Sequence, residues 1–333
     1  MLLRHLTAAL TTAWLLLAGA SPALADPVLR LPLDCRINET CWIQNYVDAD
    51  PDKGAARDFQ CGTRSYDDHN GTDFRIAARG EGKAPVTVLA AADGRVIGTR
   101  DGVLDRSVAA EGGRAAVIGT ECGNGVVVDH GGGWTTQYCH MAQGSIRVKQ
   151  GQMVKAGAAL GSVGLSGLTE YPHLHFTVRR DGRLADPFAI DAAPSSCGGG
   201  RSIWARDVAA TLAYRPRVVQ SSGFGSRPVS NPGLDTGADP GSPPGPDAPA
   251  LIAHVRALGL KPGDVPVLTI IGPDGATMAE FRGEAVARAQ AQNLVYTGRR
   301  RPEGGFKVGI YVARYRVDNA GATVLEQEFR IGL

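Results

Sequence analysis

Two short clusters hold the residues of this 333-residue chain best suited to chemistry. One is His69-Asn70-Gly71-Thr72-Asp73; the other, about a hundred positions on, is His173-Leu174-His175. Between them they supply imidazoles and a carboxylate. Such a set can hold one zinc ion through three side chains and leave a coordination position for water. A structural zinc module would normally be closed by four protein ligands, often thiolates. The expected chemistry is therefore metal-assisted hydrolysis. No His-Glu-x-x-His helix is present, so a glutamate base of that kind is not expected.

These residues need elements that bring them to one place. In His173-Leu174-His175-Phe176-Thr177-Val178, polar and apolar residues alternate, so a strand puts both histidines on one face and the apolar side chains in the core. Gly71 argues against a helix across His69–Asp73 and for an extended or turn conformation, in which both ends still reach one ion. From Pro85 the chain reads as short strands with turns at Asp93-Gly94 and Gly131-Gly132-Gly133. Helical periodicity is scarce, Gly numbers 44 and Pro 20, and the fold class expected is mainly β and antiparallel.

His69-x-Gly-x-Asp73, then Tyr138-Cys139-His140, then His173-Leu174-His175 resemble the lysostaphin/LytM-type zinc peptidases that cut bacterial peptidoglycan. The resemblance covers roughly residues 61–188 and includes Asp93-Gly94-Arg95-Val96 and the Gly151 to Gly157 segment. It implies a LytM-type (duplicated hybrid motif) catalytic domain, with His69, Asp73 and His175 as the ligands of one Zn2+. It also implies His140 and His173 as the catalytic histidines, without saying which is the base, and peptidoglycan stem peptides or cross-links as substrate. Two other functions stay open: a catalytically silent murein-binding regulator of another hydrolase, and a secreted protease acting on protein. His130 is read as ordering the glycine turn, Tyr66 as a packing or surface residue, and His254 as incidental.

The N-terminus has the pattern of a secretory signal. Arg4 and His5 precede an apolar run from Leu6 to Ala18, and Ala23-Leu24-Ala25 is a small-residue cleavage site. Residues 1–25 would be removed, with no membrane span thereafter, and the periplasm is the expected location, with secretion as second choice. Six cysteines, with no Cys-x-x-Cys pair, suit up to three disulfides in an oxidising compartment, Cys122–Cys139 being the best-supported pair. Net charge is only +2 and the basic residues are scattered apart from Arg299-Arg300-Arg301, so nothing here supports nucleic-acid binding. Asp48-Ala49-Asp50-Pro51-Asp52 lacks the spacing of a calcium loop and is read as an acidic surface loop.

The expected organisation is a Cys-containing extension over 26–60, a zinc peptidase domain over 61–195, and an immunoglobulin-like β-sandwich over 203–333. Residues 221–249, rich in Gly, Pro, Ser and Asp, are expected to be flexible. The C-terminal domain offers a surface for a protein partner.

Overall fold

The structure, a computed structural model, describes residues 25–78, 84–193 and 196–333. The signal-like pattern therefore lies almost wholly outside the described residues. The chain is mainly β and antiparallel.

The first half builds ten strands: β1 (Cys41–Asn45), β2 (Thr72–Ile76), β3 (Thr87–Leu89), β4 (Gly94–Arg100), β5 (Asn124–Gly131), β6 (Trp134–Met141), β7 (Met153–Val154), β8 (Ala159–Ser162), β9 (His173–Arg180) and β10 (Arg183–Leu184). Eight form one sheet in the order β1-β2-β9-β6-β5-β4-β7, with β10 pairing β9, while β3 and β8 pair separately. Leu174, Phe176 and Val178 of β9 and Phe74 of β2 are buried in the core. The alternation read from the sequence thus sets the histidines of β9 on the opposite face. Burying side chains of this size contributes about 1.5–3 kcal/mol each.

The segment expected to be an N-terminal extension is built into this domain. Leu29, Leu33, Ile43, Tyr46 and Phe59 share the core with Phe74 and Leu174, and β1 forms the edge of the sheet beside β2. Helix α1 (Arg206–Thr211) belongs here as well. Ile203, Trp204, Val208 and Leu212 pack into the first core, not into the C-terminal domain to which composition had assigned them. Disulfides join Cys35 to Cys41, Cys61 to Cys197 and Cys122 to Cys139.

The second half contains β11 (Val218–Gly225), α2 (Asn231–Thr236), β12 (Ala250–Leu260), β13 (Val265–Ile271), β14 (Thr277–Arg282), β15 (Gln290–Arg300), β16 (Ile310–Asn319) and β17 (Ala322–Gly332). Two antiparallel sheets, β11-β12-β15 and β14-β13-β16-β17, enclose a core that includes Val255, Leu268, Ile270 and Tyr315. Within the stretch 221–249, two elements form and residues 237–249 run as turns and bends. Its start lies in β11, and α2 follows, begun by the Ser230 hydroxyl accepting from Gly233 N and ended by Gly237 at φ 76°. Among the described residues, no helix is long and apolar enough to cross a membrane.

Candidate active site

Pairing of β2 with β9 puts Asp73 directly opposite His175, and Arg75 opposite His173. On the other side of β9, Cys139 of β6 pairs with His175, which brings His140 alongside. Residues facing one another across an antiparallel pair share a face. The five residues singled out in the sequence thus meet on one side of the sheet. Ligand atoms of His69, Asp73 and His175 all lie within 4.8 Å of one another, as do those of His140, His173 and His175.

Each imidazole is held by one nitrogen. His69 Nδ1 donates to the Tyr46 carbonyl at 2.6 Å, His140 Nδ1 to Ser166 O at 2.8 Å, and His173 Nδ1 to Tyr171 O at 2.9 Å. A carbonyl only accepts, so these bonds put the proton on Nδ1 and leave Nε2 bare in the neutral rings. His175 is turned the other way. Its Nε2 donates to Asn70 Oδ1 at 2.9 Å, which leaves Nδ1 2.9 Å from Asp73 Oδ1. His69 Nε2 lies 3.2 Å from Asp73 Oδ2 and is buried without a hydrogen bond. In the neutral rings, lone pairs of His69 and His175, and of His173 at 3.4 Å, face an ionised carboxylate. They would repel it unless a proton or a cation sits among them. These residues fit a metal ion whose ligands are His69 Nε2, Asp73 and His175 Nδ1.

The electrostatics agree. Burial opposes ionisation of Asp73, but the surrounding His69, His173 and His175 outweigh it and hold the carboxyl well below its usual range. Burial, and the neighbouring His173 and His175, push His140 well below the ordinary imidazole value. Burial also lowers His175, with Asp73 opposing. For His69, burial is overcome by Asp73 and the Tyr46 carbonyl, and its value is raised.

Other groups at the site carry no motif. Asn45 Nδ2 donates to Asp73 Oδ2 at 3.0 Å from β1, 28 residues upstream. Nothing in the sequence near Asn45 marks it. Asn70 and Thr177, whose hydroxyl lies 3.2 Å from His175 Nε2, lie within the first cluster and the alternating strand but were not singled out there as site residues. Tyr66, read as a packing or surface residue, is exposed and lies over His69 with ring centroids 4.4 Å apart. His130 lies near the end of β5, just before the glycine turn, bonded to Asp93 O and Thr136 Oγ1, and His254 is buried in β12. The acidic loop spends its carboxylates on its own backbone. Asp48 accepts from Asp50 N, Arg57 N and Asp68 N, and Asp50 pairs with Arg57.

His69, His140 and His175 open onto a cleft of about 400 Å³ lined also by Tyr66, Arg114, Gln137, Leu168 and Arg179. Cavities of about 730 and 970 Å³ elsewhere contain none of the five residues.

Residues 67–187, which carry this whole constellation, match Peptidase family M23, so the chain contains an M23 domain over that segment. Over 152 residues (46% of this chain, 28% of the relative) it is 28% identical to the peptidoglycan DD-endopeptidase ShyA of Vibrio cholerae. Over 123 residues (37% and 23%) it is 32% identical to ShyB, a peptidoglycan DD-endopeptidase of the same organism. A shorter stretch of 57 residues (17% and 9%) is 47% identical to the cell division protein DipM of Caulobacter vibrioides. The chain thus spans less than a third of the length of these relatives. A solved zinc-containing peptidase from Vibrio cholerae is 30% identical and covers 43% of this chain and 38% of its own, with a TM-score of 0.27.

Proposed function

We propose that the chain is an exported zinc metalloendopeptidase that hydrolyses peptide bonds in peptidoglycan stem peptides or cross-links. The observation that carries this reading is the convergence of bare imidazole nitrogens on the buried Asp73 carboxylate within an M23 domain. The relatives named as peptidoglycan DD-endopeptidases support the substrate class. Three disulfides, with the N-terminal sequence pattern, support export to an oxidising envelope.

His69, Asp73 and His175 would hold the ion, and a bound zinc supplies Lewis acidity that activates water and polarises the scissile carbonyl. The remaining work falls to the chain. Asn45 fixes the Asp73 carboxylate, and Asn70 fixes the His175 ring, so that their lone pairs stay aimed at the same point. His140 and His173, with ring centroids 4.7 Å apart, both spend Nδ1 on a backbone carbonyl and turn Nε2 into the site, that of His173 lying 3.4 Å from Asp73 Oδ1. One can take a proton from the attacking water, and the other can hydrogen-bond the developing oxyanion or protonate the leaving amine.

The test is a digest of purified cross-linked peptidoglycan by the chain from Asp26 to Leu333, read by mass spectrometry of the muropeptides. Parallel samples contain chelator, or chelator followed by excess zinc. Loss of cross-linked dimers that stops with chelator and returns with zinc is the expected result. His175→Ala should lose bound metal and activity together, since a site with three protein ligands cannot spare one. A folded, zinc-loaded protein that leaves every cross-link intact would instead point to a regulator or a protease of other substrates.

A further inference from the structure

Arg75 stands two residues after Asp73, fully buried, and opposite His173 in the strand register. Its guanidinium is held from both domains. Nη1 donates to Gln44 Oε1 at 2.7 Å and to Gln292 Oε1 at 2.9 Å, and Nη2 donates to Asp235 Oδ1 at 2.6 Å. Gln292 lies on β15 and Asp235 on α2, both in the C-terminal half. The charged plane then sits against Tyr171, with Cζ 4.3 Å from the ring centroid. Tyr171 stacks on His173 with centroids 4.6 Å apart and planes at 29°, and its carbonyl accepts the His173 Nδ1 proton.

The contacts form one chain across the domain interface. Asp235 and Gln292 hold Arg75, Arg75 holds the Tyr171 ring, and Tyr171 holds His173 by ring and by carbonyl. We propose that the C-terminal sandwich is a positioning element of the active site, acting on His173 through Arg75 and Tyr171. The inference rests on the proposed role of His173 in proton transfer. Arg75 and Tyr171 act through another residue; they orient the ring that handles the proton.

Physical chemistry favours a fixed arrangement. Asp235 also accepts from Arg256 Nη1 at 2.8 Å, so two buried guanidinium groups share one carboxylate. Neither arginine can lose that carboxylate without leaving a buried charge less compensated. A desolvated guanidinium over an aromatic face is held more strongly than one in water. Docking is sealed beside this network by Trp42, Val218 and Leu258 in a small apolar cluster drawn from both halves.

The experiment uses the whole zinc-loaded chain, because the first domain has not been shown to fold alone. Variants Gln292→Ala, Tyr171→Leu and Tyr171→Phe are compared with the parent for zinc content, thermal unfolding, kcat and KM on a cross-linked muropeptide. Long-range proton–nitrogen spectra of the histidine rings are recorded in parallel. Gln292→Ala and Tyr171→Leu should keep zinc and KM, lower kcat on the order of tenfold, and shift or broaden the His173 ring signals while those of His69 and His175 stay in place. Tyr171→Phe keeps the ring and the carbonyl and should behave as the parent. Unchanged His173 signals in Gln292→Ala and Tyr171→Leu overturn the proposal, as does movement of all histidine signals together or failure of Phe to rescue. If the parent cleaves no murein, the enzymatic reading fails, and the His173 spectra still decide whether the C-terminal half positions that ring.

Discussion

A β-carbon placed on Gly71 would lie 2.6 Å from His175 Nε2 and 2.9 Å from the Phe176 carbonyl. The glycine between His69 and Asp73 is therefore a matter of space: it lets the His175 ring lie against the turn and reach Asn70. Gly71→Ala should displace that ring, weaken zinc binding on the order of tenfold or more, and lower activity in proportion, as metal titration would show. His140 carries a second prediction. Its folded value lies well below the usual one because of burial and its histidine neighbours, whereas the unfolded chain titrates near 6.5. As pH falls through about 6.5 the unfolded state takes up a proton that the folded state refuses, so stability present above that pH is lost below it. In chelator, the stability of the parent should fall between about pH 6.5 and 5. His140→Gln should show a shallower fall, by up to about 1.4 kcal/mol per pH unit, in denaturant titrations across that range. His69, Asp73, His173 and His175 were legible as candidates because their types and spacing are unusual, whereas His140 was marked only by the family resemblance. Asn45 was not, because an asparagine 28 positions upstream has no local pattern to mark it.

At the scale of elements, β9 was readable from its alternation, and the structure keeps Leu174, Phe176 and Val178 buried on the core side as that alternation requires. Its partners were not readable. Pairing with β2 crosses about a hundred residues and is settled by which apolar faces pack together, not by any local signal. The Cys122–Cys139 bridge, suggested by its place around a hairpin, ties the end of β6 to the loop before β5. His140 follows directly, with its backbone N–H donating to Cys122 O at 2.8 Å and φ at 59°. Replacing both cysteines by serine should cost about 3 kcal/mol of unfolding free energy for a loop of this length, measured in denaturant. Activity should fall as well, since the strained backbone at His140 loses its tether. Part of the Gly/Pro-rich stretch folds, residues 221–225 into β11 and 231–236 into α2, where Ser230 caps one helix end, Gly237 the other, and Asp235 is drawn into the interface.

For the whole molecule, the consequential interaction is between halves. Asp235 is the shared counter-charge of Arg75 and Arg256, so Asp235→Ala should destabilise the chain by about 3–5 kcal/mol, seen as a large drop in the unfolding midpoint. A drop of less than 1 kcal/mol would mean that the two guanidinium groups find water or other acceptors at the interface. Strand periodicity, turn residues, cysteine count and the two histidine clusters were enough to read a mainly β chain and to propose a metal-hydrolase site, since each is a short-range property of residue type and spacing. Which strands pair, that residues 26–60 and 203–212 belong to the first core, and that a C-terminal aspartate and glutamine reach Arg75 behind His173 were decided by packing. Those contacts join residues as many as 217 positions apart, and their energy comes from excluding water around partners that no local pattern brings together.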